Sequence, residues 1–582
     1  MAPDHQTKPV RPPDPLDALS TSCLPQYNIE DLSEIVTDQD RCFALDIEWK
    51  VVGPMPVDAF LDKFLPCRDR VPKLRGVNFS GVPDKPTGES MIYPSLVSRA
   101  SYFLSHPSSP LTQREGLNKI LEKSDSTLGF YDTSNRSESP DQVGSSKPDL
   151  GMFKKSDVSR GKLEDTRKRV RGGASEEYVY TAHMGEIYMF IEVKTSRDLD
   201  FFTDPYYSTS DDGISPDNDM LSDDDTSSDG GTLSDDSTSS DDDMSSDDET
   251  LSEYRFTIDT SKEYLTDRRA RYRVSALGQN THYAHIIQTR QFRTCVYSIS
   301  IAGATARLLR WDQSGVVVTE SFNYKINPEL LIGFIWRFSK ATAERRGFDL
   351  SAIPVNSNAE RQQFVDAIRK HALEQLPELS AKDIEKEVDR HYWPGAITRL
   401  TIMTGMDVWV SRPILTSEGV AGRSTVGYWG VRCDSGEVVF VKDVWRKQAP
   451  EVDMEGTILE ELQKAGVRNI PELVCHGDIF HEGKAVFPTL VYPKSHPHEG
   501  NLQTTRTDEF VEEAWVESRH PTDKRHRPIK RVHYRLVTKN AGFRLSTFKG
   551  TRGLLEATFD AFTGMIPVHH VDPLLNTTTL QR

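Results

Sequence analysis

Three short runs of alternating apolar residues, followed by an amphipathic helix, constrain the fold of this chain more than any other feature. The runs lie at Val408–Leu415, Thr425–Val431 and Val438–Val444, and their period of two predicts three β-strands. Asp434-Ser435-Gly436 supplies turn residues between the second and third strands. The helix is predicted over Met454–Ala465, where apolar residues recur at helical spacing. This stretch therefore predicts an α+β unit.

The turn before the second strand contains Gly422, Ser424 and Gly427 in a G-x-S-x-x-G pattern. Glycine has no Cβ, so backbone N–H groups in such a loop can approach a phosphate that a side chain would hold off. The same pattern is also typical of an ordinary hairpin turn. These three residues are therefore candidate phosphate contacts. The segments that follow decide between a phosphate-binding loop and an ordinary hairpin turn.

Two charged residues follow the loop at a suggestive spacing. Lys442 ends an apolar strand, where its ammonium group can present a point charge to the α- and β-phosphates of a nucleotide. Glu455 opens the predicted helix and lies at the edge of its apolar face, whereas Glu460 points away. Glu455 is therefore the carboxylate that we expect to pair with Lys442. A lone lysine at a strand end would otherwise simply be solvated.

Loop, strand lysine and helix glutamate, in this order, match the phosphate-handling half of a protein kinase. The segments GRSTVGYWGV, VVFVKDVW and MEGTILEEL resemble the fungal-type protein kinase family, a divergent group of protein kinases found in mushrooms and their relatives. The resemblance covers roughly residues 283–564. It implies a serine/threonine-kinase-like transferase that uses ATP and Mg²⁺. It also implies the residues that would contact ATP, namely Gly422, Ser424, Gly427, Lys442 and Glu455.

The groups that carry phosphoryl transfer in kinases are expected after the helix that ends near Gly564. They are the Asp and Asn of H-R-D-x-x-x-x-N and the Asp of D-F-G. His570-Val571-Asp572 and Asn576 match this pattern only superficially, because Val571 replaces the arginine and the asparagine comes one residue early. No D-F-G follows. We therefore expect a C-terminally truncated homologue with weak ATP binding, no catalytic residues and no activity. A non-catalytic pseudokinase that acts as a scaffold or regulator is the alternative.

A second group of charged residues lies in the first half of the chain. Asp149, Glu192 and Lys194 follow the order of the PD-(D/E)xK nuclease core, in which carboxylates hold Mg²⁺ and the lysine helps to activate water. Glu89 is a candidate extra carboxylate. The region could instead have a nuclease-like fold without cleavage, or be an ordinary strand whose Glu192 and Lys194 face solvent. A metal-dependent nuclease is therefore a further functional alternative.

Negative charge is concentrated in one low-complexity segment. The chain has a net charge of −17, but residues 198–253 contain 20 acidic residues and no Lys or Arg, so the remainder carries +3. Residues 205–252 are mostly Asp and Ser and cannot form a core. Ser222, Ser240 and Ser246 precede acidic residues, the pattern that acidophilic kinases prefer, so a regulated tether and a plain spacer both fit.

These observations predict six regions. They are a disordered tail (1–38), an α/β region with a nuclease-like fold as one alternative (39–204), a disordered acidic linker (205–252), a family-specific subdomain (253–400), a kinase-like N-lobe with the start of a C-lobe (401–565) and a tail (566–582).

The chain has neither an apolar run of eighteen residues nor an N-terminal signal core, so no membrane partner is expected. Its six cysteines are scattered without ligand spacing, which indicates reduced thiols in an intracellular protein, cytoplasmic or nuclear. We expect ATP and proteins as partners, and we do not expect nucleic acid.

Overall fold

The computed structural model of the chain describes most residues between Leu32 and Val571. The described ranges are 32–69, 71–72, 77–97, 116–134, 147–159, 166–168, 177–179, 183–202, 204, 268–403, 406–449, 452–481, 501–516, 527–539, 541–543 and 550–571. The predicted acidic linker and C-terminal tail lie outside these ranges, apart from the end of the last helix. The predicted N-terminal tail does so only up to residue 31, because a helix begins at Leu32.

Eight strands form the first sheet. They are β1 Val51–Met55, β2 Leu128–Asp132, β3 Leu150–Lys154, β6 Met189–Lys194, β7 Val296–Ala302, β8 Thr305–Asp312, β9 Gly315–Thr319 and β10 Phe322–Asn323. The order is β1-β9-β8-β7-β6-β3-β2, with β10 beside β8. The β1–β9 and β6–β7 pairs are parallel and the others antiparallel. Two short strands, β4 Thr166–Lys168 and β5 Glu177–Val179, pair separately.

This sheet takes strands from both sides of the acidic segment. β1 and β6 precede residues 205–252, whereas their parallel partners β9 and β7 follow them. The predicted 39–204 region and 253–400 subdomain therefore contribute strands to one sheet, and their division into separate domains stays a prediction. The physical reason for the shared sheet is burial, because every residue of β7 and β9 is buried and such strands need cover on both faces and partners on both edges.

Seven strands form the second sheet. They are β11 Ala352–Pro354, β12 Thr398–Met403, β13 Met406–Val410, β14 Val426–Arg432, β15 Val438–Lys447, β16 Leu473–Asp478 and β17 Arg531–Thr538. The order is β11-β12-β13-β14-β15-β17-β16, and all neighbours are antiparallel. The three predicted strands correspond to β13, β14 and β15, although β13 ends five residues earlier than predicted.

Helices cover both sheets. They are α1 Leu32–Ile47, α2 Val57–Phe64, α3 Tyr93–Val97, α4 Leu117–Ser124, α5 Lys155–Ser159, α6 Arg268–Arg290, α7 Pro328–Lys340, α8 Asn358–Gln375, α9 Ala381–His391, α10 Glu455–Lys464 and α11 Gly550–Val571. On the first sheet, α2, α3, α4 and α7 pack on one face, and α1 and α6 pack on the other. On the second sheet, α8 and α9 share one hydrophobic cluster and α10 another.

The architecture is mixed α and β and is compatible with a kinase-like domain at residues 401–565. None of the described helices is long and apolar enough to cross a membrane. The five cysteines in the described part of the chain are free thiols.

Candidate functional site

The ammonium group of Lys442 on β15 contacts the carboxylate of Glu455 on α10. Lys442 Nζ donates to Glu455 Oε2 at 2.6 Å and to Oε1 at 2.9 Å, which confirms the predicted pairing. The side chains of Lys442 and Glu455 are 20% and 45% exposed, so a ligand in solvent can reach both groups. An ion pair this exposed contributes little to stability. The ion pair instead fixes the position of the Lys442 ammonium group.

A glycine allows α10 to lie close enough for this contact. The backbone N–H of Gly456 donates to Tyr534 Oη at 2.9 Å, and a Cβ at this position would lie 2.0 Å from the His476 ring. Leu459 of the same helix packs on Val444 in a small hydrophobic cluster. The N-terminal turn of α10, which carries Glu455, is therefore held against β15, β16 and β17.

The predicted loop residues occupy different environments. Gly427 lies directly opposite Lys442 in the β14–β15 pair, and a Cβ there would come within 3.0 Å of Phe440. Ser424 has a φ of +43°, which is uncommon for a residue with a side chain, and its hydroxyl donates to the carbonyl of Val420 at 3.2 Å. Of the predicted loop residues, only Gly427 is therefore a cross-strand neighbour of Lys442.

The tip of the loop is docked on the first sheet. Val420 and Ala421 are buried in the hydrophobic cluster that α1 and α6 form with that sheet. The N–H of Gly422 donates to the carbonyl of Gln313 at 2.9 Å, in the turn between β8 and β9. The amide that was predicted to contact a phosphate therefore already has a protein acceptor.

The second group of predicted residues converges as well. Asp149 directly precedes β3 and is buried, and its two carboxylate oxygens accept from Tyr93 Oη at 2.6 Å and from the Val193 N–H at 2.7 Å. Lys194 at the end of β6 donates to Glu192 Oε1 at 2.7 Å.

Lys194 has two further partners. Its Nζ donates to Glu89 Oε1 at 3.3 Å and to Gln279 Oε1, from α6, at 3.0 Å. The predicted role of Glu89 as an extra carboxylate is therefore consistent with its position. The alternative in which Glu192 and Lys194 face solvent is wrong, because their side chains are only 4% and 12% exposed.

Burial sets the protonation behaviour of this cluster. Burial and the nearby Glu192 charge raise the pKa of Asp149 well above its usual range. Burial likewise raises the pKa of Glu192, against the opposing effect of Lys194. Burial would lower the pKa of Lys194, but the surrounding carboxylates outweigh it and raise that pKa. The lysine is therefore a firmly charged counter-ion inside a carboxylate-rich cavity.

The cluster lines a cavity of about 470 Å³, into which Asp149, Glu192, Lys194 and Gln279 all contribute. Among the residues that the structure describes, the buried Glu192 Oε2 has no hydrogen-bond partner. Within the described ranges, no group of three or more His, Cys, Asp or Glu side chains is arranged to hold a metal ion. Any cation here would rest on two carboxylates, completed by water or backbone oxygens, as Mg²⁺ often is.

Sequence analysis missed Tyr93 and Gln279 as members of this site. Tyr93 lies in a segment of apolar residues where a hydroxyl gives no distinguishing signal. Gln279 could have been found, because it lies four residues, about one helical turn, before Tyr283 on α6, and both side chains line the cavity.

The second sheet, with its strand lysine paired to a helix glutamate, defines a kinase-like protein. A family profile described as fungal protein kinase matches residues 237–570, more than half of the 582-residue chain. The chain belongs to this family, which confirms the resemblance seen in its sequence. Searches of curated proteins and of solved structures return no significant match.

Proposed function

We propose that residues 401–565 form a nucleotide-binding, kinase-like module that holds ATP weakly at Lys442 and does not transfer its phosphate. The ion pair between Lys442 and Glu455 carries the proposal, because kinases use such a pair to hold the α- and β-phosphates. Membership of a kinase family supports use of ATP and Mg²⁺ in general. Lys442 would supply the positive charge for the phosphates, and Glu455 would keep it in position.

The expected affinity is low. The Gly422 amide is engaged by Gln313, and Ser424 replaces the second glycine of the kinase loop. We expect a dissociation constant no better than about 1 mM, roughly −4 kcal/mol. Within the described residues no group of three or more His, Cys, Asp or Glu side chains is arranged to hold a metal ion, and Mg²⁺ enters this proposal only as part of Mg-ATP.

Absence of transfer follows from the residues of the chain. The 582 residues contain neither H-R-D-x-x-x-x-N nor D-F-G, which supply the catalytic base and the metal ligands in kinases. Asp572 and Asn576, the superficial match, lie outside the described residues. Positioning of phosphates without these groups gives binding but no acceleration of transfer.

Titration of the full chain with Mg-ATP, followed by ligand-observed NMR, tests the proposal. We expect millimolar binding that Lys442→Met abolishes and that Lys447→Met, at the exposed end of the same strand, leaves unchanged. Tight binding that survives Lys442→Met would place the nucleotide elsewhere. No binding at all would favour the alternative of a scaffold or regulator, which the buried loop tip at Val420 and Ala421 also supports.

A metal-dependent nuclease is the second candidate. The observation that favours it is the convergence of Asp149, Glu192 and Lys194 on one cavity, where Glu192 Oε2 has no partner in the described part of the chain. Asp149 and Glu192 would hold the ion. A bound Mg²⁺ would polarise a phosphodiester and lower the pKa of its water.

Incubation of the chain with single- and double-stranded DNA in Mg²⁺ or Mn²⁺ tests this candidate. Cleavage that EDTA and Glu192→Ala abolish, but that Asp198→Asn at an exposed position preserves, would support a nuclease. Cleavage that is equal in the Glu192→Ala protein would come from a contaminant and would refute the site.

A further inference from the structure

Lys442 shares its face of the second sheet with two aromatic residues. Side chains alternate along a strand, so Phe440 projects from the same face as Lys442, about 7 Å away. Trp429 lies directly opposite Phe440 on β14, and paired residues in antiparallel strands project from the same side. Phe440 and Trp429 therefore lie on the sheet face from which Lys442 projects.

Trp429 is buried on this face against helices α8 and α9. Its side chain is almost fully buried, and its ring stacks on His391 with centroids 3.8 Å apart and an angle of 9° between the planes. His371 meets the indole edge-on at 4.9 Å, and Phe543 does so at 5.1 Å. Phe440 packs at the edge of the same hydrophobic cluster.

The backbone that follows β17 is also engaged by these side chains. Trp429 Nε1–H donates to the carbonyl of Gly542 at 3.3 Å, and His371 Nε2–H donates to that of Ala541 at 2.9 Å. Both carbonyls therefore already accept a hydrogen bond from a side chain of this cluster.

The kinase pattern has smaller side chains at both aromatic positions. In G-x-G-x-x-G-x-V the last residue is valine, where this chain has Trp429, and in V-A-I-K the second residue is alanine, where it has Phe440. Ligand pockets are concave and enclose most of the ligand surface. Here two aromatic rings fill the space next to Lys442, while the lysine itself stays 20% exposed.

We infer that the Lys442 site recognises a polyphosphate group without its base, and that Trp429 determines this specificity by filling the space a base would need. The inference rests on the proposed function and narrows its ligand class to polyphosphates, whatever base or other group they carry. Lys442, held in position by Glu455, supplies the contact, and the Trp429–His391 stack excludes the base.

Titrations of the full wild-type chain with Mg-ATP, Mg-GTP and magnesium tripolyphosphate test the inference. We expect the three dissociation constants to agree within about threefold, and Lys442→Met to weaken all three by at least about tenfold. ATP binding about tenfold tighter than both other ligands would overturn base-independent recognition while leaving the proposed nucleotide site in place. Binding of all three ligands that is insensitive to Lys442→Met, or no binding, would overturn the proposed site and this inference with it.

Trp429→Val supplies a second measurement, with Trp429→Phe as the control that keeps the core filled. We expect the valine variant to gain affinity for ATP relative to tripolyphosphate and the phenylalanine variant to show no such gain. If the valine variant does not fold, the wild-type comparison decides. An unchanged ratio in a folded valine variant would show that Trp429 does not exclude the base.

Discussion

Lys442 and Glu455 are thirteen residues apart, and the lysine ammonium lies 2.6 and 2.9 Å from the two oxygens of the carboxylate. This two-point contact joins the strand that would hold the phosphates to the helix beside it. It is the feature of the kinase-like module on which the proposed function depends.

Removing the charge of Glu455 should loosen the lysine. In Glu455→Gln, the amide can accept only through one oxygen, so Lys442 is less restrained and we expect Mg-ATP binding to weaken by about three- to tenfold. Ligand-observed NMR measures the change. Glu461→Gln, on the exposed side of the same helix, is the control. Equal affinity in both variants would show that Glu455 does not position Lys442.

Gly456→Ala should destabilise the protein despite the higher helix propensity of alanine. Propensity alone would add up to about 1 kcal/mol of stability. The new Cβ, however, would lie 2.0 Å from the His476 ring, so α10 must shift, at a cost of about 1–3 kcal/mol. Urea unfolding measures the difference. Gly185→Ala, where a Cβ meets nothing within 4 Å, should change little, and an unchanged Gly456→Ala would contradict the packing described.

Replacing a buried arginine should lower the free energy of unfolding more than replacing an exposed one. Arg535 is fully buried and donates to Asp349 at 2.6 Å and to Asp443 at 3.1 Å. Arg535→Met removes the guanidinium that these two buried carboxylates share, so we expect a loss of about 3–5 kcal/mol in the free energy of unfolding. Arg432→Met, which breaks an exposed pair with Asp434, should cost at most about 1 kcal/mol. Equal losses of unfolding free energy in the two variants would mean that the contacts of Arg535 do not stabilise the fold.

The same network makes stability fall in acid. Burial would raise the pKa of Asp349 from 3.8, but Arg535 and His533 outweigh it and hold that pKa well below its usual range. The folded state thus favours the ionised form, and this contribution is present above about pH 4 and lost as the pH falls below it. Unfolding measured from pH 7 to pH 3 should show this decline. It should be shallower in Asp349→Asn, and equal slopes would contradict the assignment.

Local features of the chain could be predicted from its sequence because they depend on neighbouring residues. Helix α9, Ala381–His391, buries Ile384 and Val388, which stand four residues apart, the spacing that indicates a helix. The pairing of Lys442 with Glu455 followed from the position of Glu455 on a helical wheel. The convergence of Asp149 with Lys194 was suggested by motif order alone.

Long-range contacts could not be predicted in this way. Nothing in β1 indicates that it pairs with β9, more than 250 residues away, across the acidic segment. The Trp429–His391 stack joins two elements whose apolar residues look like ordinary core positions in the sequence. The docking of Val420 on the first sheet also depends on residues remote from the glycine loop. These contacts decide what the candidate site can bind.

A phosphate-transfer assay tests most directly whether this chain lacks kinase activity. The full 582-residue chain is incubated with Mg-ATP labelled on its γ-phosphate and generic protein substrates, alongside Lys442→Met and Asp572→Asn variants. We predict no incorporation above that of a blank in any of the three proteins, because the 582 residues contain neither H-R-D-x-x-x-x-N nor D-F-G. Incorporation by the wild-type chain that either variant abolishes would overturn this prediction and establish an active kinase.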